Sequence, residues 1–145
     1  MRQSGITLIE LLVTVALIAI MATIGMPNFQ SLLGSNRFAG DYNELMAHLH
    51  FGRSEAVKRR SDIAVNVSSS GGVWKVEVRD EDNILLRETS GRDGQVSVAS
   101  GSVSFNALGR RTGCTGEWDG TTCSVMVTSN SRSGSITITA TGRIE

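Results

Sequence analysis

The residue that most constrains this chain chemically is Glu10. It is the only charged residue in the run ITLIELLVTVALIAIMATIGM, 21 residues from Ile6 to Met26. A run of that length can cross a hydrocarbon core as a helix, and a carboxylate inside a bilayer is costly unless it is neutralised or paired. The run holds no basic residue, so the partner of Glu10 must come from elsewhere.

The other reactive side chains point away from catalysis. Cys114 and Cys123 lie nine positions apart, with no further cysteine and no histidine near enough to complete a metal set. A disulfide is the better reading, with two unpaired thiols as the alternative. If the region lies outside the cytoplasm, the bridge staples a Gly-rich loop and contributes about 2–3 kcal/mol. His48 and His50 are two positions apart on a helical pattern, so they face different ways and lack the i, i+4 spacing of a helical zinc pair. No Gly-x-Ser-x-Gly elbow is present. Asp80-Glu81-Asp82-Asn83 lacks the alternating ligands and distal glutamate of a calcium loop and reads as a solvated acidic turn. The sequence therefore offers no catalytic set, no metal site and no cofactor.

Elements that position these residues follow from periodicity. With 145 residues, a formal net charge of +0, one proline and 5% aromatic residues, the chain has room for a membrane helix and one soluble domain. It carries no overall field toward nucleic acid. Arg2 precedes the apolar run, which predicts a cytoplasmic N-terminus and an exported remainder. The run is longer than a secretory signal core and lacks an Ala-x-Ala exit. Pro27 is expected to kink or locally open the helix. Periodicity then resumes, with Phe38, Tyr42, Leu45, Leu49, Gly52 and Ala56 on one stripe and Met46 and Val57 beside it. Asp41, Glu44, Arg53, Glu55, Lys58 and Arg59 lie off the stripe and are expected to face water or a partner. A helix from Ile6 to about Arg60 would be roughly 80 Å long. Lys58-Arg59-Arg60 at its end suits the helix dipole better than a phosphate site.

Beyond Ser61 the pattern changes to period two. Ile63, Val65 and Val67 form one face, followed by Trp74, Val76 and Val78, then Val96 and Val98, Val103 and Phe105, Val125 and Val127, and Ile136 and Ile138. About six or seven strands are expected, antiparallel, with turns at Gly71-Gly72 and Ser133-Gly134. They must pack on the helical stripe, because nothing else offers enough apolar surface. The fold class is α+β, a long N-terminal helix on an antiparallel β-rich C-terminal domain.

Gly5-Ile6-Thr7-Leu8-Ile9-Glu10 followed by an apolar run resembles the leader of type IV prepilins and type II secretion pseudopilins. Ile6 stands where that family usually has Phe. Val103-Ser104-Phe105-Asn106-Ala107-Leu108-Gly109-Arg110, Ser54-Glu55-Ala56-Val57 and the closing Gly142-Arg143-Ile144-Glu145 resemble signatures of the GspH/FimT branch. The resemblance implies a pilin fold whose helix is transmembrane in its first half. It implies a leader over 1–5, a membrane or filament-core helix over 6–27, its amphipathic continuation over 28–60 and a head over 61–145. A prepilin peptidase would cut after Gly5 and methylate Ile6, leaving Glu10 near the terminal amine of a neighbouring subunit. The implied partners are other pilins or pseudopilins and an inner-membrane assembly platform, with the head periplasmic and later near a filament tip. Members that receive DNA end in Gly-Arg-x-Arg, whereas the last residue here is Glu145. Arg110, Arg111, Arg132 and Arg143 remain the candidate DNA contacts. Two functions are therefore expected of the sequence: a structural subunit that primes filament assembly, and, as the alternative, a pilus-tip DNA receptor. A pilus and a type II secretion filament are both compatible with it.

Overall fold

The computed structural model describes residues 6–118, 122–130 and 132–145, with no side-chain description at positions 27 and 28. It divides into two compact units, Met1–Leu33 and Gly34–Glu145. Helix α1, Leu8–Arg59, supplies the regular structure described in the first unit and the opening element of the second.

In the first unit α1 starts at Thr7, whose hydroxyl accepts a hydrogen bond from the Glu10 amide at 3.3 Å while its carbonyl accepts one from the Leu11 amide at 3.2 Å. Thr7-Leu8-Ile9-Glu10 thus has the spacing of a capping box, satisfying amide donors that the first helical turn leaves without partners. The following turns are apolar and exposed, with a mean hydropathy of 2.4 over the best 18-residue window. Helical assignment continues through position 27, so the proline does not end the helix. Proline holds a helix-compatible φ and removes only one backbone donor.

In the second unit α1 packs on two antiparallel sheets. The first runs β3-β2-β1-β5-β6, from β1 (Ile63–Ser70), β2 (Val73–Asp80), β3 (Leu85–Ser90), β5 (Gly101–Phe105) and β6 (Arg111–Gly116). The second runs β4-β7-β8, from β4 (Val96–Val98), β7 (Cys123–Ser129) and β8 (Ser133–Ile138). All six apolar pairs and triplets expected from the sequence are buried. The helix stripe meets them: Leu45, Leu49 and Ala56 are fully buried, Phe38 and Tyr42 pack at the margin, and Gly52 lies against Val65. The two additional strands, β3 and β6, form the edges of the larger sheet. Their side chains are mostly exposed, so no apolar alternation announces them.

Three expectations require correction. Gly71-Gly72 does turn β1 into β2, with Ser70 opposite Val73, but Ser133-Gly134 lies inside β8. The β7–β8 turn closes earlier, where the Ser129 amide donates to the Arg132 carbonyl at 2.7 Å. Gly134 instead leaves room for the stacked rings of Phe38 and Tyr42. Asp41 and Glu55 do not face water: both are buried. Asp41 accepts the Trp74 indole N–H at 3.1 Å, and Glu55 accepts from Lys58 Nζ at 3.0 Å and Arg59 Nε at 2.7 Å. Val57, placed beside the stripe, is half exposed. His48 is a core residue, its Nδ1–H donating to the Glu44 carbonyl at 2.9 Å.

Candidate functional site

At the N-terminal end, Gly5 lies outside the described residues. Ile6 is 77% exposed and Glu10 is exposed one helical turn along, surrounded on α1 by Leu8, Ile9, Leu11, Leu12 and Val13, all open to the surroundings. No ion pair to Glu10 occurs among the described residues, so the only formal charge of the apolar segment has no counter-ion within its own described chain. A carboxylate in an apolar medium is costly unless neutralised or paired. The hydroxyl of Thr14, one turn from Glu10, donates to the Leu11 carbonyl at 2.8 Å and not to the carboxylate.

The two later signature segments meet at one point. Gly142 packs directly on the carbonyl of Gly109, and the same carbonyl accepts Arg53 Nε–H from α1 at 3.0 Å. The loop before β6 is closed by Asn106, whose side-chain oxygen accepts the Leu108 and Arg110 amides at 3.0 and 3.1 Å. The C-terminal segment turns at Thr139–Gly142 and pairs back on β8, with Thr137 and Glu145 exchanging backbone hydrogen bonds of 2.9 and 3.0 Å. It thereby covers an edge that would otherwise be open. Arg53, Gly109 and Gly142 form a structural junction that sequence spacing could not reveal, since they stand on a helix, a loop and the C-terminal turn.

The four candidate DNA-contacting arginines do not form one patch. Arg110 and Arg143 flank the Gly109–Gly142 contact, but Arg143 pairs with Glu145 at 3.2 Å. Arg111 is half buried, and its Nη1 is enclosed without a hydrogen-bond partner among the described residues. Arg132 sits at the β7–β8 turn, at the opposite end of β8 from the turn that holds Arg143. Six residues of strand separate them, about 20 Å. Among the basic residues at the end of α1, Lys58 and Arg59 are engaged with Glu55, and Arg59 also approaches Asp80 at 3.8 Å. Hydrogen bonds from Arg59 and then Lys58 hold the Glu55 carboxyl below its ordinary value of 4.5. Glu77 is likewise lowered by Lys75 and Arg79, and Lys75 is raised in return by Glu77 and Glu88. The DNA-receptor alternative thus finds no support in the geometry.

Cys114 and Cys123 form a disulfide with a Cα–Cα distance of 6.0 Å. It joins edge strand β6 of the larger sheet to central strand β7 of the smaller one. Trp118, buried within the bridged segment, donates its indole N–H to the Ala99 carbonyl at 2.7 Å and packs against Gly101.

Comparison with known proteins agrees with this geometry. The family model described as type II transport protein GspH matches residues 41–142, and the prokaryotic N-terminal methylation motif matches residues 1–26. No curated protein matches. Two crystal structures of the type IV minor pilin FimU of Pseudomonas aeruginosa PAO1 share the fold. The one in space group P21 is 21% identical, with a TM-score of 0.58 over 77% of this chain and 88% of that one. The one in P65 is 20% identical, with a TM-score of 0.51 over 71% and 86%. An apolar N-terminal helix carrying the methylation motif, continued into a head that the GspH family model covers, places this chain in the GspH family of pilin-like structural subunits, which are not enzymes.

Proposed function

We propose that this subunit is cleaved after Gly5 by a prepilin peptidase and methylated on Ile6, and that it then primes assembly of a filament near the tip. The observation that carries the proposal is Glu10, a lone exposed carboxylate one turn into an apolar helix, with no counter-ion among the described residues. The cation it lacks is the terminal amine of a neighbouring pilin or pseudopilin, released by cleavage of that neighbour's leader. Neutralisation in a low-dielectric medium joins the two subunits in a fixed register. Arg2 supports insertion with residues 1–5 in the cytoplasm and the head, residues 61–145, in the periplasm. The segments 6–27 and 28–60 then divide α1 into a membrane or filament-core half and a half that backs the head, and an inner-membrane platform extracts the subunit.

The GspH family description favours a type II secretion filament, whereas the FimU likeness, which concerns the fold, fits a type IV pilus equally well. The test is processing and incorporation. Gly5→Ala leaves uncleaved precursor in the membrane, and Glu10→Ala is cleaved but missing from sheared filaments. Normal cleavage of the first variant, or full incorporation of the second, defeats the proposal. Loss of surface pili or of a secreted enzyme on deletion then distinguishes the two filaments.

A further inference from the structure

The outer face of α1 in the head carries an open groove of about 590 Å³ between Ala47 and Val57, lined also by His50, Phe51, Arg53 and Ser54. Ala47, His50, Ser54 and Val57 follow one another at steps of three and four, so they share the side of the helix that the buried stripe leaves outward, and all four are exposed. Gly109 lies against Val57, which brings its neighbours Leu108, 74% exposed, and Arg110 to the end of the groove.

The charge around this face has one sign. Arg87 of β3 stands over the Phe51 ring at 5.2 Å from its centroid, Arg53 reaches the Gly109 carbonyl, and Arg110 follows that carbonyl in the chain. None of the three forms an ion pair among the described residues, and no described lining residue is acidic. Glu55, on the same helix, is buried and already engaged by Lys58 and Arg59. An apolar floor beside unpaired guanidinium groups is complementary to an apolar side chain accompanied by carboxylates. Two copies of this chain cannot meet here symmetrically, because one arginine rim would then face another. An asymmetric contact between copies would repeat without closing, whereas a subunit that primes assembly passes the contact once, to a different chain.

We propose that the α1 groove receives a different pilin-like subunit of the same filament, through a segment that presents an apolar side chain beside aspartate or glutamate. The apolar side chain lies against Phe51 and Val57, and the carboxylates meet Arg87 and Arg110. The proposal rests on the filament reading above, and deepens it by assigning the face that takes the next subunit and the chemistry that subunit brings.

Full-length chain in inner-membrane vesicles from cells that make the rest of the filament machinery tests it. Ser54→Cys supplies one free thiol, since the native disulfide holds Cys114 and Cys123, and it is labelled with benzophenone maleimide. Illumination joins it to a different subunit. Mass spectrometry identifies that subunit by its own cleaved apolar N-terminus and by an adduct peptide with aspartate or glutamate next to an apolar residue. The same probe at Ser68→Cys, an exposed position of β1 next to the inward Val67, does not give this product. Arg87 is exposed on an edge strand, so Arg87→Glu leaves the fold intact; it lowers the Ser54→Cys yield about tenfold, while Arg87→Lys keeps it. An adduct between two copies of this chain, an adduct peptide without a carboxylate, an equal yield from Ser68→Cys, an unchanged yield with Arg87→Glu or no adduct at all overturns the proposal. If it is overturned while Glu10→Ala still blocks incorporation, the assigned face is wrong and the filament reading stands.

Discussion

Gly142 is seated on the carbonyl oxygen of Gly109, so closely that a Cβ at position 142 would overlap it. Gly142 also has a φ of +81°, where an L side chain is strained. Gly142→Ala therefore incurs both penalties and is expected to lower stability by about 2 kcal/mol or more, freeing the C-terminal pairing with β8. Denaturant unfolding of the full chain in detergent reads the loss. Gly113→Ala, on edge strand β6 with open space around its Cβ position, serves as the comparison and stays near wild type.

The buried Asp41–Trp74 hydrogen bond joins α1 to β2 through the core. Asp41→Ala leaves the indole N–H of a buried tryptophan without its acceptor, and is expected to cost about 1–3 kcal/mol. Tryptophan fluorescence at the unfolding midpoint checks this. An unchanged midpoint means that water has replaced the carboxylate without penalty.

Glu55 gives a pH dependence of defined sign. Its carboxyl lies below 4.5 in the folded chain because Arg59 and Lys58 hydrogen-bond to the ionised form. The stabilisation is complete above the unfolded value and is lost as pH falls through the lower folded value. Wild type should therefore weaken on acidification below about pH 4.5, more steeply than Glu55→Gln. Thermal unfolding of both across that range tests the point, and parallel pH profiles would assign the acid sensitivity elsewhere.

The Cys114–Cys123 bridge ties the two sheets, so its removal should act on their association as well as on the unfolded chain. Replacing both cysteines by alanine is expected to reduce stability by about 2–4 kcal/mol. Reductant should lower the unfolding midpoint of wild type and leave that of the double variant unchanged.

The sequence by itself determined what depends on local period and on chemical type. The apolar run with its single carboxylate, the helical stripe Phe38–Ala56, and the inward positions of β1, β2, β4, β5, β7 and β8 follow from side chains that must leave water. A Cys114–Cys123 disulfide was the better reading of the two cysteines, and the structure forms it. Thr7-Leu8-Ile9-Glu10 has capping-box spacing, but the apolar run hides it from a reading by periodicity, and the cap emerged only in the structure. Strands β3 and β6 were not legible, because an edge strand exposes both faces and its backbone pairing leaves no trace in hydrophobicity. Only the tertiary structure decided that Asp41 and Glu55 are buried: β2 brings the Trp74 indole to Asp41, whereas Glu55 is covered by packing while Lys58 and Arg59 of its own helix pair with it. It also decided that Arg53, Gly109 and Gly142 meet and that Arg132 stands apart from Arg143. Such relations join residues distant in sequence, and they are set by which strands become neighbours, a choice that no local pattern encodes. Glu10 lies at the boundary between the two: its type and place were plain from the start, and no counter-ion to it occurs among the described residues.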